Sequence, residues 1–363
     1  MLVAKACLSR CTLSVAFVLV CLSTAGGERQ PEAPALGDEG MSGISSHRFV
    51  FVGGPHHAGT TLTALLVGGH GDVSGFHNTG APEDEGQHLQ EVYHTALELG
   101  GMTKYAFNPK SHLTEQSAIC TTRNRRKLFA AWAKYWDLSK PFLVEKSPPH
   151  IVMSRFIQAI FTPERTKFVF VIRHPLGATK FLWGKDRRGK GSKTCYIRLV
   201  GHWVKQMTIL AEDLPYLRNA TVIMYENFVA KSPVSNYKNL LHFLELEEAS
   251  AAQISLKNHS SPALKKHSGS SRKWRKGGQQ GRKLLGFHGN RNGITSGRAK
   301  IEIVQEEWMA WKRSFEEKTP GWTACGPMMA ELEEAVSRFG YSLLSPDRVS
   351  VPLPFQPWLL PTG

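Results

Sequence analysis

Residues 53–62 read GGPHHAGTTL and lie between two apolar runs, FVFV and TALLV. From Gly54 to Thr61 the spacing is G-x-x-x-x-G-T-T, the frame of a phosphate-binding loop with threonine where a nucleotide triphosphatase carries lysine. A glycine-rich turn that leaves a strand and opens a helix makes an anion site. Its glycines let the backbone come close, and the helix N-terminus offers free N–H groups and a partial positive charge. Thr60 and Thr61 add hydroxyl donors. Without the lysine, and with no obvious acidic residue ending a buried strand to hold Mg²⁺, hydrolysis of ATP or GTP is disfavoured. The loop suits a group that needs less charge compensation, such as one phosphate plus a sulfate.

Such a loop must be carried by a strand and a helix, and the chain supplies them in alternation. RFVFVGG, PFLVEKS, KFVFVIR and ATVIMYENF read as buried strands. TTLTALLVGG, HIVMSRFIQAIF, VSNYKNLLHFLEL and MMAELEEAVSRFGYSL carry apolar residues at helical spacing, as does IEIVQEEWMAWKRSF. Short β-rich runs alternating with helices predict an α/β fold, a three-layer parallel sheet flanked by helices. Trp203, Trp308 and Trp311 are read as core residues or surface anchors.

The chain has 363 residues and a formal net charge of +15, which points to an anionic partner. Residues 1–27 read as a signal peptide or a signal anchor. Lys5 and Arg10 precede the uncharged core LSVAFVLVCL, and Ser23-Thr24-Ala25 offers small residues for cleavage. Residues 28–46, rich in Gly, Pro, Glu and Ser, read as a flexible stem. Residues 47–345 form the main domain and 346–363 a C-terminal tail. Within the domain, residues 251–300 hold many Lys and Arg and no Asp or Glu, a basic loop that is either a solvated insertion or a polyanion-gripping flap. Beyond the leader only Cys120, Cys195 and Cys325 remain, enough for one intrachain disulfide at most, and no C-x-x-C spacing suggests zinc. The triplets Asn219-Ala220-Thr221 and Asn258-His259-Ser260 fit N-glycosylation on a secretory route.

Four motifs, by their order and spacing along the chain, resemble the sulfotransferases that use 3'-phosphoadenylyl sulfate (PAPS): the loop at 54–62, then segments at 144–148, 168–175 and 225–228. The resemblance runs from Arg48 to Phe228 and thinly beyond. The loop Gly54-Pro55-His56-His57-Ala58-Gly59-Thr60-Thr61-Leu62 is similar to the family's 5'-phosphosulfate loop, G-x-x-[KR]-[SA]-G-T-[ST]-L. FVFVIRHP, with Arg173, His174 and Pro175, is similar to its 3'-phosphate strand and turn. YENF at Tyr225–Phe228 is similar to a late strand end, and VEKSP at Val144–Pro148 to a lysine-bearing segment of Golgi glycan sulfotransferases.

The resemblance implies the following roles. Residues Pro55 to Thr61 hold the 5'-phosphate, and Arg173 grips the 3'-phosphate with a forked, permanent charge. His57 stands where the family has lysine or arginine, and Lys146 supplies the permanent cation. Phe181 stands where the family has a serine, with Thr179 or Lys180 as substitutes. Arg275-Lys276-Gly277 is similar to an RKG nucleotide loop. Golgi members place a glutamate base after the first helix. The candidates here are Glu83, Asp84 and Glu85, with Glu85 preferred, a helix expected from GQHLQEVY, and neighbouring like charges raising one carboxylate. His88 and His94 are lesser candidates. No metal is implied. The acceptor is an anionic or hydroxylated glycan, peptide or small alcohol and not a nucleic acid, and the location is the Golgi lumen, on a type II anchor, or outside the cell. Two other readings stay open: a binding protein on the same fold without catalysis, and a phosphate-loop kinase.

Overall fold

The computed structural model describes residues 42–178, 196–230, 233–248, 326–345 and 348–361. By contacts the chain divides into residues 1–35 and 36–363, and the described residues all belong to the second unit. The leader 1–27, the basic loop 251–300, Thr179, Lys180, Phe181, Cys195, Arg275, Lys276, Gly277, the Asn258 triplet, IEIVQEEWMAWKRSF with Trp308 and Trp311, and Cys325 lie outside the described residues.

Five parallel strands form one sheet: β1 (Arg48–Gly53), β2 (Val73–Gly75), β3 (Phe142–Lys146), β4 (Thr166–Ile172) and β5 (Ala220–Met224), in spatial order β2-β3-β1-β4-β5. The helices between and after them are α1 (Thr60–Gly68), α2 (Thr122–Trp132), α3 (Ser154–Phe161), α4 (Tyr196–Asp213), α5 (Tyr225–Ala230), α6 (Pro233–Leu244) and α7 (Gly326–Ser337). The result is the α/β arrangement that the sequence pattern predicts.

The apolar runs hide an alternation that the sheet makes visible. Successive strand residues face opposite sides. In β1 and β4 the valines Val50, Val52, Val169 and Val171 join Leu66 and Val67 of α1 and Leu240, Leu241 and Leu244 of α6 in one cluster. The phenylalanines Phe49, Phe51 and Phe168 face the other way. Phe161 of α3 lies with its ring centroid 4.7 Å from that of Phe49 and 5.1 Å from that of Phe51, and it stacks on Trp132 of α2 at 5.6 Å. In β1 and β4 one face is therefore valine and the other phenylalanine.

Register fixes where the chemistry can lie. Val52 of β1 sits beside Lys146 of β3 and Val169 of β4. The loop after β1, the turn after β3, Arg173 after β4 and Tyr225 after β5 thus leave from one edge of the sheet. The β1 connection goes toward β2 and the β4 connection toward β5. Their divergence opens the crevice where parallel sheets bind ligands.

Several elements differ from the expectation. The last strand ends at Met224, and YENF begins α5 instead. GQHLQEVY forms one 3₁₀ turn, Gly86–His88, not a helix, because its polar side chains bond the surrounding backbone. The three residues of β2 and the whole of α4 carry no signal that the periodicity reading used. Within the span read as a stem, Ser42–Ser45 make a helical turn with Ile44 buried. Within the span read as a tail, Leu353–Trp358 turn against the sheet with Phe355 buried, and Leu360 N–H donates to Val222 O at 2.9 Å. The Asn219 amide donates to Pro163 O and Thr166 O, and Thr221 is buried in β5, so a glycan on that nitrogen, which leaves it one N–H, would displace at least one of these bonds. No helix among the described residues is long and apolar enough to cross a membrane.

Phe161→Ala should open a hole in the aromatic layer. Loss of a fully buried phenylalanine costs about 3–5 kcal/mol and should show as a lower urea midpoint at an unchanged slope.

Candidate functional site

The loop after β1 is built by close backbone approaches. Gly54 has φ +153°, and a Cβ there would lie 2.2 Å from Val171 O. Gly59 has φ +108°, and a Cβ there would lie 2.5 Å from the Tyr225 ring. Only glycine fits either place. The loop also spends some of its own donors. Gly54 N–H bonds Pro148 O at 3.2 Å, and Ala58 N–H bonds Pro55 O at 3.0 Å. The amides that open α1, at Thr60 and Thr61, have no intrahelical acceptor. Thr60 is buried and Thr61 exposed.

Arg173 closes one side. Its Nη1 donates to His57 O at 3.0 Å, and its guanidinium carbon lies 4.7 Å from the Tyr225 ring centroid. Its Nε is buried without a protein acceptor, packed against Gly177. The turn bearing Arg173 is braced from behind. Trp203 Nε1 donates to Arg173 O at 3.0 Å, and His174 N–H donates to Glu226 Oε1 at 2.9 Å. Tyr341 OH bonds the other Glu226 oxygen at 2.9 Å. The RHP and YENF motifs thus act together, with Glu226 as their link. Burial raises the Glu226 carboxyl pKa, and the bond from His174 N–H opposes it.

The other side holds the ion pair. Lys146, at the end of β3, is only 6% exposed. Its Nζ donates to Glu85 Oε1 at 2.9 Å and to Glu83 O at 3.1 Å. Glu85 is equally buried, and its Oε2 accepts from Gln87 Nε2 at 2.5 Å, with His88 Nε2 at 3.9 Å. The acidic triplet is not a cluster of like charges, because the backbone turns between its members. Glu83 and Asp84 both have positive φ. Glu83 is exposed and contributes its carbonyl, while Asp84 accepts from Thr79 N–H and Oγ1 at 2.8 and 2.7 Å. His94 is exposed beside Glu98 and stands apart from this group.

His56 and His57 follow different paths. His57 takes the left-handed φ of +65° and gives its carbonyl to Arg173. His56 turns inward against Tyr105, ring centroids 5.6 Å apart, and Tyr105 packs on His202 at 4.9 Å. His56 Nδ1 and the Tyr105 hydroxyl are buried without partners. Burial, then the charges of Lys146 and His88, lowers His56 from 6.5 to about 3. His56 is thus neutral and cannot serve as the cation.

Sequence reasoning missed Glu145, a buried acid near the end of a buried strand. Both its oxygens are taken by protein groups: Gly86 N–H, Ser147 Oγ and His150 Nε2. Gln87, Tyr105 and Tyr341 were likewise silent, since each acts through a partner distant in the chain, while Trp203, read as a core residue or surface anchor, is buried.

The glycine-tight loop after β1, Arg173 after β4 and the buried Lys146–Glu85 pair after β3 gather at one edge of the sheet. Residues 50–250 match the sulfotransferase family, and the chain belongs to it. No curated protein matches. Similar solved structures include a sulfotransferase domain from the curacin biosynthetic pathway, 18% identical over 57% of this chain and 77% of that one, TM-score 0.35. A sulfotransferase from Mycobacterium tuberculosis is 15% identical over 61% and 76%, TM-score 0.42. The sulfotransferase domain of a Synechococcus olefin synthase is 16% identical over 66% and 86%, TM-score 0.37. The family assignment rests on the sequence match, and the fold on the sheet itself.

The buried histidines predict an acid-labile fold. His202, lowered to about 3 by burial and then by His56, is neutral in the native state like His56. Unfolding lets both take up protons near pH 6.5. Their contribution is intact above that pH and lost as pH falls toward 3, at a slope approaching about 1.4 kcal/mol per pH unit for each. Urea unfolding at pH 7, 6 and 5 should show the loss, and His202→Gln should make it shallower. Equal slopes in the two proteins would count against it.

Proposed function

We propose that this protein transfers the sulfuryl group of PAPS to a hydroxyl of a glycan or protein acceptor in the secretory pathway. The observation that carries the reading is the buried Lys146–Glu85 pair beside the anion loop. It supplies the permanent cation that position 57 lacks.

The residues fit the nucleotide. His56 Nδ1 and Arg173 Nε are buried polar atoms in want of partners, and Gly54 and Gly59 keep clear a cradle that a Cβ would fill. The amides of Thr60 and Thr61 would hold the 5'-phosphate and Arg173 the 3'-phosphate. PAPS brings the activated sulfuryl group. Glu85 would take the proton of the acceptor hydroxyl as its oxygen bonds to sulfur, and the bridging S–O bond breaks toward the nucleotide. The Lys146 ammonium would compensate negative charge on the departing oxygen. An aligned donor and acceptor need little more from the protein than this positioning. The net charge of +15 and the leader-like N-terminus support an anionic acceptor met in the secretory lumen.

Labelled sulfate transferred from PAPS to a panel of glycans, acidic peptides and small alcohols tests the reading. PAPS binding without transfer to any class would instead favour the non-catalytic alternative, and preference for ATP the kinase. Arg173→Ala should weaken PAPS binding by about 2–3 kcal/mol, the scale of a lost charge-assisted bond, as read by calorimetry.

Glu85→Gln keeps the shape but cannot take the proton. Its single-turnover rate at saturating PAPS should fall roughly 10²–10⁴-fold with PAPS affinity unchanged. Glu83→Gln should be near wild type, because Lys146 uses only the backbone carbonyl there.

A further inference from the structure

Lys146 is flanked on its strand end by Glu145 and Ser147, and both reach the residues that follow Glu85. Glu145 Oε1 accepts from Gly86 N–H at 2.7 Å and from Ser147 Oγ at 2.6 Å. Ser147 Oγ in turn accepts from Gln87 N–H at 3.0 Å. The far side of the segment is fixed too. Trp132 Nε1 donates to Gly86 O at 3.0 Å, and Gln87 Oε1 accepts from Ala96 N–H at 2.9 Å. No slack remains at the contact, since a Cβ on Gly86 would lie 2.5 Å from Glu145 Oε1. Gln87 then passes the constraint to Glu85 through its side-chain amide.

His150 completes the clamp. Its Nε2 meets Glu145 Oε2, and both side chains are fully buried. The ring is edge-on to Phe51 at 5.5 Å and to Trp132 at 6.5 Å, so packing prevents it from swinging away. The carboxylate of Glu145 therefore has three donors, no solvent and no route to a substrate. The match is complete at the carboxylate, where three donors restrain it, while Nδ1 of His150 is buried without a partner.

We infer that Glu145, with Ser147 and His150, is the positioning group that sets the Glu85–Lys146 geometry and through it the rate of transfer. The inference rests on the roles proposed for Glu85 and Lys146. Glu145 holds the proton acceptor and the cation in one register, because the residues on either side of the cation bond the residues just after the acceptor.

The test is a double-mutant cycle. Ser147→Ala, Glu145→Gln and Glu145→Ala are made alone and with Glu85→Gln. The readouts are single-turnover transfer from PAPS, PAPS affinity by calorimetry, and the thermal midpoint. Ser147→Ala and Glu145→Ala should slow transfer by up to about 10²-fold, the scale of a small misplacement, with PAPS affinity unchanged. Glu145→Gln, which still accepts from Gly86 N–H, should recover part of the rate. In the Glu85→Gln background each change should cost little more, within about threefold, because the group being aimed is already gone. Equal fold losses in both backgrounds, or losses that track PAPS affinity or the unfolded fraction, would overturn the inference while leaving Glu85 in place. A wild-type rate for Glu85→Gln alone would remove Glu85 from the mechanism, and the inference with it. If Glu145→Ala does not fold, Ser147→Ala and Glu145→Gln decide.

Discussion

A lysine ammonium buried at the end of a parallel strand is expensive unless a carboxylate meets it and the leftover hydrogen-bonding groups are matched. Lys146 imposes that condition here. The segment 83–90 must fold over the sheet edge to bring Glu85 within 2.9 Å, and it cannot do so as a helix. Its turns at Glu83 and Asp84, with positive φ, and its single 3₁₀ turn are the shape left when Glu83 O and Gly86 N–H are both tied to side chains of β3. The aromatic layer beneath serves the same end. Trp132 is at once a core side chain stacked on Phe161 and the donor that pins Gly86.

A second brace works independently on the opposite side of the crevice. Arg173 is presented by a turn whose carbonyl, following amide and next side chain are bound by Trp203, Glu226 and Ser342, on three separate segments. The loop after β1 sits between the two braces. Its two glycines touch the neighbouring strand β4 and helix α5 so closely that the loop and the arginine turn cannot shift separately. The glycine loop is thus part of the packed framework and not an appendage on it.

What the residues disclose in order along the chain is the layer structure and the loop. FVFV and KFVFVIR announce buried strands, and their alternation of valine and phenylalanine even encodes the two different layers. Glycine spacing announces the anion turn, because only backbone constraints demand glycine there. The geometry separates Glu85, buried on Lys146, from the exposed Glu83 for a reason that the sequence does not contain. Adjacent acids look alike in a string, and only the left-handed turn between them separates a buried side chain from an exposed one. Glu145 was invisible for the opposite reason. It lies inside an apolar strand, where a lone acid gives no periodic signal, and its partners are 59 residues back at Gly86 and five residues ahead at His150.

The manner in which β5 is covered bears on biogenesis. Its outer side is met by residues 358–360, and the Thr221–Trp358 bond spans 137 residues of sequence. At roughly 5–20 residues per second, a growing chain leaves the outer edge of this apolar strand open for about 7–30 s before its cover emerges. An open strand is a template for pairing with other chains. Translation speed and helpers that shield nascent strands therefore bear on the yield of native protein, and a slow codon stretch between these segments would prolong the hazard without altering a single contact in the finished molecule.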